Sequence, residues 1–344
     1  MTLYYGDKDA PGVKRIQDGL RATVERQLEA PVWMYFESFD EGWVAHSTSY
    51  ANAMELFLKQ KYSKRGIDVI VAVGDYPLTF MQVRRRRLLP NAQLLYVSLG
   101  RSPRKHVPGT TGMVLQVDLA PTLEIALAQN PGTRHVLVIA DATMVDRTMT
   151  QMALRGLVKY VQDRYKLVDV QVLAAESLAA TRSTLARLKQ DTVPIFLCYY
   201  GDTTGEGFVP ARILPGFSAV ASRPIYSWGV VALGRGIVGG SLLDFQANGA
   251  LLGELVVQVI RGEKPDEVSE ILGDRSQTVF DWQQMKRWKI ALDQVPSGSI
   301  VINQAYTRWQ LYKWRIIILL SLVVIETLLI VSLTRPSARQ TRHE

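Results

Sequence analysis

Short apolar runs alternate along the chain with longer stretches in which apolar residues recur every three or four positions. Residues 68–73 (DVIVAV) and 135–140 (HVLVIA) are almost wholly apolar, which is typical of parallel strands buried on both faces. In the stretch 12–28, the residues Val13, Ile16 and Leu20 follow the spacing of an amphipathic helix. The alternation predicts a parallel sheet with helices on both faces.

This alternation of strands and helices occurs twice in succession. In the first unit we predict strands at 2–5, 32–36, 68–73, 93–98 and 113–117 and helices at 12–28, 49–62 and 77–89. In the second unit we predict helices at 121–129, 145–165 and 178–190, strands at 135–140, 168–173, 194–199 and 224–228, and a long helix at 246–261. The predicted fold class is therefore α/β, with two doubly wound parallel-sheet lobes and a cleft between them.

The stretch 316–333 (IIILLSLVVIETLLIVSL) has the length and composition of a transmembrane helix. Trp314 precedes it and Arg335 follows it, as expected at membrane interfaces. Glu326 costs roughly 2.5–3.5 kcal/mol at a helix centre, and the surrounding Leu, Ile and Val residues offset that cost. The alternative is a buried core helix, but such a helix seldom lacks a polar face over this length.

These patterns predict the domain organisation. We expect lobe 1 at residues 1–111 and about 226–262, and lobe 2 at residues 112–225. Residues 263–312 are expected to pack on the lobes and lead to the membrane, residues 314–334 to cross it, and residues 335–344 to form a cytoplasmic stub. The residues from Met1 resemble the start of a strand, so either the C-terminal span alone inserts the chain or a leader precedes the sequence given; we favour the second.

Charge and cysteine content exclude several classes of function. The formal net charge is +8, but acidic residues are interspersed throughout. The basic run 84–87 continues a helical pattern, so its arginines point around the helix instead of forming one binding face, and we expect no nucleic-acid partner. Cys198 is the only cysteine, which rules out an intrachain disulfide and a cysteine-based zinc site.

Two glycine-rich segments look like nucleotide motifs. Residues 234–239 (GRGIVG) match GxGxxG, but the residues that follow are extended and do not enter a helix directly, as a dinucleotide site requires. Close backbone packing where the chain crosses between lobes is the favoured interpretation. Residues 201–207 (GDTTGEG) lack the ending of a phosphate loop.

Catalytic patterns are also missing from the sequence. No HExxH or GxSxG motif is present, and Cys198 suits a buried position within a strand. We therefore expect no enzyme activity, no cofactor and no metal.

Polar and aromatic residues follow several predicted strands. Ligands of open parallel sheets bind beyond the carboxyl ends of the strands, and aromatic rings with a few acceptors suit a small amphiphilic or cationic ligand. Capping of helices and closing of turns is the alternative role for each residue. The candidates are Glu37, Asp75, Tyr76, Ser98, Asp141, Thr143, Tyr199, Tyr200, Asp202 and Trp228.

A set of short segments resembles one family over nearly the whole chain. They are Lys61-Tyr62 before the strand at 68–73, Leu89-Pro90 before the next strand, and the segments 110–113 (TTGM), 233–240 (LGRGIVGG), 261–265 (RGEKP), 281–282 (DW), 287–288 (RW), 296–299 (PSGS) and 309–312 (WQLY). Together they resemble the extracytoplasmic sensor region of bacterial membrane-bound histidine kinases, a region similar to the type I periplasmic substrate-binding proteins of ABC transporters.

The resemblance implies a receptor in the cytoplasmic (inner) membrane, with one C-terminal span and a ligand-binding region outside the cytoplasm. Its expected partners are a small molecule, the lipid bilayer, and either a cytoplasmic kinase module or partner or a second copy of the chain. Longer members continue into PAS, phosphoacceptor and ATP-binding modules, and no such kinase core is present in this chain. A membrane-tethered substrate-binding protein of an ABC transporter is the alternative. A nucleotide-using enzyme is a third class, based on the glycine match alone.

Overall fold

The computed structural model describes residues 1–40, 47–100, 108–141, 148–175, 177–204, 206–304 and 308–334. The chain divides into two compact units, Met1–Ile302 and Asn303–Glu344. The strands are β1 (Thr2–Tyr4), β2 (Phe36–Ser38), β3 (Val69–Val73), β4 (Gln93–Leu99), β5 (Thr110–Leu115), β6 (His135–Asp141), β7 (Asp169–Ala175), β8 (Thr192–Phe196), β9 (Tyr226–Ser227), β10 (Gly239–Leu243), β11 (Ile271–Gly273), β12 (Ser276–Asp281) and β13 (Ile300–Ile302). The α-helices are α1 (Pro11–Gln27), α2 (Thr48–Tyr62), α3 (Asp75–Leu88), α4 (Ala120–Gln129), α5 (Thr148–Arg164), α6 (Leu178–Ala186), α7 (Pro210–Val220), α8 (Phe245–Ile260), α9 (Trp282–Trp288) and α10 (Arg308–Thr334).

Six strands form a wholly parallel sheet in the order β11-β5-β4-β3-β1-β2. Every residue of β3 is buried because helices cover both faces of the sheet. Val69 and Val71 pack with residues of α1 and α8, whereas Ile70 and Ala72 pack with residues of α2 and α3. This sheet and its four helices form lobe 1.

Helices α1 and α8 lie parallel and in close contact on one face of lobe 1. Gly19 faces the backbone of α8, where an added Cβ would stand 2.0 Å from the carbonyl oxygen of Gln246. Gly249 faces α1 in the same way, with 2.2 Å to the carbonyl oxygen of Ile16. Only glycine allows the two backbones to approach this closely.

Lobe 2 is built on a four-stranded parallel sheet in the order β7-β6-β8-β9. Val136 and Val138 of β6 pack with residues of α4 and α5, and Ile139 packs on the opposite face with residues of α6 and α7. The sheet is therefore covered by helices on both faces, as the sequence predicts.

A small third sheet, in the order β10-β12-β13, extends the core of lobe 2 towards lobe 1. Val279 and Phe280 of β12 belong to the two halves of the lobe 2 core. Leu243, the last residue of β10, belongs instead to the core of lobe 1. β10 therefore carries the chain from one lobe to the other.

The lobe boundaries differ from the predicted ones. The predicted boundary after residue 111 falls inside β5, which pairs with β4 from Thr110 to Leu115 and so stays with lobe 1. The predicted return to lobe 1 at about 226 falls on β9, where Tyr226 pairs with Ile195 of lobe 2. Residues 271–273, predicted only to pack on the lobes, form the edge strand β11 of lobe 1.

The second unit contains α10. Its segment Tyr312–Val331 is 20 residues long and apolar enough to cross a membrane. The predicted span 314–334 lies within this helix. The hydroxyl groups of Ser321 and Thr327 donate to the carbonyl oxygens of Ile317 and Val323, one turn earlier in the same helix, at 2.8 and 2.7 Å.

Candidate ligand-binding cleft

The two lobes meet at Trp228 and Phe245. Trp228 directly follows β9 of lobe 2, and Phe245 is the first residue of α8 in lobe 1. Their ring centroids are 5.8 Å apart with an interplanar angle of 70°. The Phe245 ring also lies against Gly12 at the start of α1, where an added Cβ would be 3.5 Å away. Since α1 follows β1, this contact lies at the edge where the strands of lobe 1 end.

Trp228 contacts residues of both lobes. Its indole Nε1 donates a hydrogen bond to the carbonyl oxygen of Leu197, just after β8, at 2.7 Å. The side chain is half-buried and packs against the cores of both lobes. A change in the angle between the lobes must therefore change the surroundings of this ring.

On the lobe 1 side, aromatic residues cluster at the ends of β2 and β3. Tyr76, in the first turn of α3, packs edge-to-face on Phe39 with 5.1 Å between ring centroids. The hydroxyl of Tyr50 donates to the carbonyl oxygen of Phe39 at 2.7 Å. Burial, and then the negative charge of Asp40, raises the pKa of Tyr50.

Two exposed carboxylates accompany this cluster. Asp75 is the first residue of α3, where the helix N-terminus favours a negative charge. Asp40 follows β2 in the left-handed region of backbone space, with φ of 49°. Acidic side chains beside aromatic rings suit a ligand with a cationic group.

On the lobe 2 side, adjacent tyrosines have opposite environments. Tyr199 is fully buried, with its ring edge-to-face on Phe217 at 5.2 Å and its hydroxyl 3.3 Å from Oγ1 of Thr181. Tyr200 is 48 % exposed and lies at the mouth of the loop that leads to α7. Of the two, Tyr200 is accessible to a ligand in this structure, and Tyr199 belongs to the core of lobe 2.

Asp202 closes the loop after Tyr200. It is buried and accepts hydrogen bonds from the backbone nitrogens of Thr204 at 2.9 Å and of Leu178, at the start of α6, at 3.1 Å. The hydroxyl of Thr204, followed by these backbone donors, lowers the pKa of the Asp202 carboxyl. This carboxylate is satisfied by its own lobe and fixes the loop against α6.

Glu37 and Ser98 lie within strands of lobe 1, and both side chains are buried. Glu37, in the middle of β2, is covered by the end of α2, accepting a hydrogen bond from Lys61 Nζ at 2.5 Å and another from the Tyr62 hydroxyl. Burial and this hydrogen bond raise the pKa of Tyr62. Ser98 is buried in β4 opposite Val114 of β5.

The remaining candidates lie at the end of β6. Asp141 is the last residue of that strand and pairs with Ala175 of β7. Thr143 lies outside the described residues. The structure thus brings Tyr76 and Asp75, Tyr200, and Trp228 to the strand ends of the two lobes. Glu37, Ser98, Tyr199 and Asp202 are enclosed within a lobe.

The glycine motif at 234–239 has a packing role. The hydroxyl of Ser218 donates to the carbonyl oxygen of Gly236 at 2.8 Å, and a Cβ on Gly236 would stand 2.3 Å from that of Ser218. The residues from Gly239 form β10, and the helix α8 begins only after Asp244, whose side chain caps it. This geometry differs from a dinucleotide turn, in which the helix starts directly after the glycines.

The sequence did not single out Phe245 or Phe39. Both look like ordinary core residues in the sequence, because a phenylalanine beside a strand end or helix start most often packs inside a lobe. The signal available for Phe245 is its position after Asp244, a good N-cap that places the next residue in the first turn of a helix. Across the described ranges, no three His, Cys, Asp or Glu side chains come together as a metal site would require.

No protein-family model and no curated protein matches the chain. Solved structures do match it. The ABC domain in complex with L-Trp from Streptococcus pneumonia is 15% identical with a TM-score of 0.60, and the alignment covers 88% of this chain and 99% of that one. A ligand-free, open substrate-binding protein with adhesive properties from Clostridium difficile is 14% identical with a TM-score of 0.58, covering 88% and 98%.

A third similar structure is the 5-methylthioribose transporter solute-binding protein from Thermotoga lettingae, in complex with 5-methylthioribose. It is 15% identical with a TM-score of 0.51, covering 85% of this chain and 89% of that one. At these identities the likeness shows the fold alone. The chain has the two-lobed α/β fold of type I periplasmic binding proteins, and after it one apolar helix long enough to cross a membrane.

Proposed function

We propose that the chain is the extracytoplasmic, small-molecule-sensing part of a membrane-bound signal-transduction protein of the sensor histidine kinase type, without a kinase core of its own. The observation that carries this proposal is the short connection between binding fold and span. β13 pairs with β12, and only residues 303–307 separate it in sequence from α10. Residues 303–314 (NQAYTRWQLYKW) contain no Gly, Pro or Ser, and this composition differs from that of flexible linkers.

The proposed signal is a change in the angle between the lobes. A ligand shifts this equilibrium only if it binds the closed state more tightly than the open one. Residues on both lobes must therefore contact it, and Tyr76 of lobe 1, Tyr200 of lobe 2 and Trp228 at the junction are the proposed contacts. Their rings, with Asp75 beside them, favour a small aromatic or amine ligand.

A thermal-shift screen of amino acids, amines and small aromatic acids tests the binding step. A ligand at a hundred times its dissociation constant adds about 2.7 kcal/mol to the free energy of unfolding. The triple variant Tyr76→Ala, Tyr200→Ala, Trp228→Ala is expected to lose the shift, and Trp33→Ala, at a side chain that is 80 % exposed and precedes β2, is expected to keep it. If every stabilising compound still acts on the triple variant, the cleft assignment is wrong.

The proposal also fixes the orientation in the membrane. Residues before Trp314 are placed outside the cytoplasm and residues from Arg335 onward inside. In a Cys198→Ala background, an impermeant thiol reagent applied to intact cells should label Ser297→Cys and spare Ser337→Cys. Labelling of Ser337→Cys would mean that the orientation is inverted.

A membrane-tethered substrate-binding protein of a transporter is the second candidate. It is favoured by the likeness to a transporter solute-binding protein, with a TM-score of 0.51. The two functions differ in whether ligand binding changes the conformation at the cytoplasmic end of the span. A fluorophore on Ser337→Cys should respond to ligand if the chain is a sensor, and should not respond if it only delivers solute.

A further inference from the structure

The residues around α2 and α3 carry a concentrated positive charge. Residues 48–65 and 79–88 contain eight Lys or Arg side chains and one acidic side chain, Glu55, whereas the whole chain has 40 basic and 32 acidic residues. Asp75, the other acidic residue of α3, lies in its first turn. The C-terminal parts of both helices therefore form a strongly basic region of lobe 1.

The single acidic side chain joins the two helices. Glu55 of α2 accepts a hydrogen bond from Nε of Arg84 at 2.9 Å and another from Nε of Arg87 at 2.5 Å, both on α3. Two guanidinium groups thus share one carboxylate, so the cluster keeps a net positive charge. The contact also holds α2 and α3 side by side at the level of these residues.

The basic surface comes from two helices and not from the run 84–87 itself. As the sequence predicts, the four arginines point in different directions. Arg85 donates to the carbonyl oxygen of Ala92 at 3.3 Å, Arg86 is exposed, and the other two contact α2. A basic surface therefore forms only where α2 lies beside α3.

Two exposed apolar side chains lie next to this contact. Leu56, one position after Glu55, is 56 % exposed. Val83, one position before Arg84, is 65 % exposed. Since each residue of a helix turns by about 100°, both side chains point outward beside the contact. Basic side chains in the last turn of a helix favour its C-terminal end, but that explains no exposed apolar pair. An apolar pair with a basic rim suits contact with a partner.

The two helices repeat one pattern. They lead into the parallel strands β3 and β4 and pack on the same face of the sheet, so they run in the same direction. Lys59 follows Leu56 by three positions and is exposed. Arg86 follows Val83 by three positions and is exposed as well. Each basic side chain therefore lies about one turn beyond the apolar one. These four residues and Arg87 are called the α2–α3 face.

We propose that the α2–α3 face binds an acidic amphipathic helix of another protein. Such a helix lies along α2 and α3, with apolar side chains on Leu56 and Val83 and carboxylates one turn away on the basic side chains. A second copy of this chain does not fit, because a two-fold axis would place basic side chains opposite one another. A bilayer surface does not fit either. Leu58 and Met81 fix both helices to the core of lobe 1, so neither can sink into the headgroups as an interfacial helix does.

Titration of the full chain with a labelled peptide tests the proposal. The chain is held in phosphatidylcholine nanodiscs, and the peptide has about four helical turns in which Leu and Glu recur at helical spacing. The peptide should bind at low salt and about tenfold more weakly at high salt, because exposed charges are screened. A matched peptide with Lys in place of Glu should not bind. Absence of binding by the acidic peptide would overturn the proposal.

Charge reversal locates the contact. Lys59→Glu with Arg86→Glu should weaken peptide binding at least about tenfold. Arg155→Glu with Lys159→Glu makes the same change of charge on exposed side chains of α5 in lobe 2 and should leave binding unchanged. Equal losses in the two variants would show that the peptide responds only to the net charge of the chain, and would refute the α2–α3 face.

The apolar pair is tested by Leu56→Ser with Val83→Ser, which should weaken peptide binding about tenfold. Leu167→Ser with Val172→Ser replaces the same residue types at exposed positions of lobe 2 and should have no effect. Equal effects of the two changes would contradict the docking of an amphipathic helix.

Vesicles containing phosphatidylglycerol are tested in parallel by sedimentation. If they bind the natural chain, while the peptide does not and the charge-reversal variant of the α2–α3 face abolishes the binding, then lipid is the occupant and the protein partner is wrong.

Discussion

The backbone nitrogen of Ser241 donates a hydrogen bond to Oγ1 of Thr122 at 3.0 Å. Thr122 is fully buried in the first turn of α4, just after the chain first enters lobe 2, and Ser241 lies on β10, where the chain returns to lobe 1. The same oxygen also lies 3.1 Å from the carbonyl oxygen of Ser227 at the end of β9. The Thr122 hydroxyl therefore links the segment where the chain enters lobe 2 to β10, where the chain returns to lobe 1.

Thr122→Val removes this hydroxyl with little change in volume. The partly buried Ser241 nitrogen then loses its acceptor, so the free energy of unfolding should fall by about 1–3 kcal/mol. Denaturant unfolding measures the loss. Thr79→Val, on the exposed face of α3, is the matched control and should change stability by less than about 0.5 kcal/mol. Equal effects at the two positions would contradict the assigned role of Thr122.

Gly249→Ala should destabilise lobe 1, because the new Cβ would stand 2.2 Å from the carbonyl oxygen of Ile16. The new methyl group should push α1 and α8 apart and lower the free energy of unfolding by about 1–3 kcal/mol. Gly156→Ala is the control, since Gly156 lies inside α5 with no atom within 4 Å of an added Cβ. That substitution should stabilise the protein by about 0.5–1 kcal/mol, so the two alanine substitutions should shift the melting temperature in opposite directions.

The carboxylate of Asp202 makes stability depend on pH. Its folded-state pKa lies below the ordinary value of 3.8, because Thr204 and the backbone donate to the charged form. Its contribution is therefore complete above about pH 4 and is lost as the pH falls through the lower, folded-state pKa. Asp202→Asn should lower the melting temperature at pH 7, and the difference from the natural chain should shrink in acid. The exposed Asp163→Asn serves as the control, and an equal difference at both pH values for Asp202→Asn would exclude this linkage.

We expect this chain to have no kinase activity. Phosphoryl transfer needs a nucleotide site with magnesium ligands around the phosphates. The glycine motif at 234–239 does not provide one, because it packs closely against Ser218. Incubation of the purified chain in detergent with radiolabelled ATP should leave it unlabelled. Acid-labile label that disappears in His343→Ala would show the opposite.

The alternation of apolar runs predicted most of the strands and helices. β3 lies at Val69–Val73, within the predicted 68–73. Its limits are clear in the sequence because a strand buried on both faces is apolar at every position. β2 overlaps the predicted strand 32–36 at one residue only. The prediction rested on the β propensity of the residues VWMYF alone, and in the structure Trp33 of that segment is exposed. Helix α7 was not predicted, because it contains Pro215 and begins at Pro210, and prolines usually mark loops.

The candidate site was less accessible to sequence reasoning. The adjacent Tyr199 and Tyr200 look equivalent in sequence, yet one is enclosed and the other exposed, because β8 ends at Phe196 and strand alternation no longer fixes their directions. The partners of Glu37 lie on α2, which only the folded layer brings over β2. Residues at strand ends can be identified from the sequence, but their direction depends on the packing of elements distant in sequence.

The contact between α1 and α8 has a consequence for how the protein is made. The segments that meet at Gly19 and Gly249 are separated in sequence by all four strands of the lobe 2 sheet, and the edge strand β11 follows later still. Contacts between distant segments form late, because closing a long loop costs entropy before the contacts repay it. On the ribosome we expect the lobe 2 sheet to assemble first. The lobe that contains the N-terminus is then the last to be completed, and its open apolar faces are the surface that a chaperone would bind during synthesis.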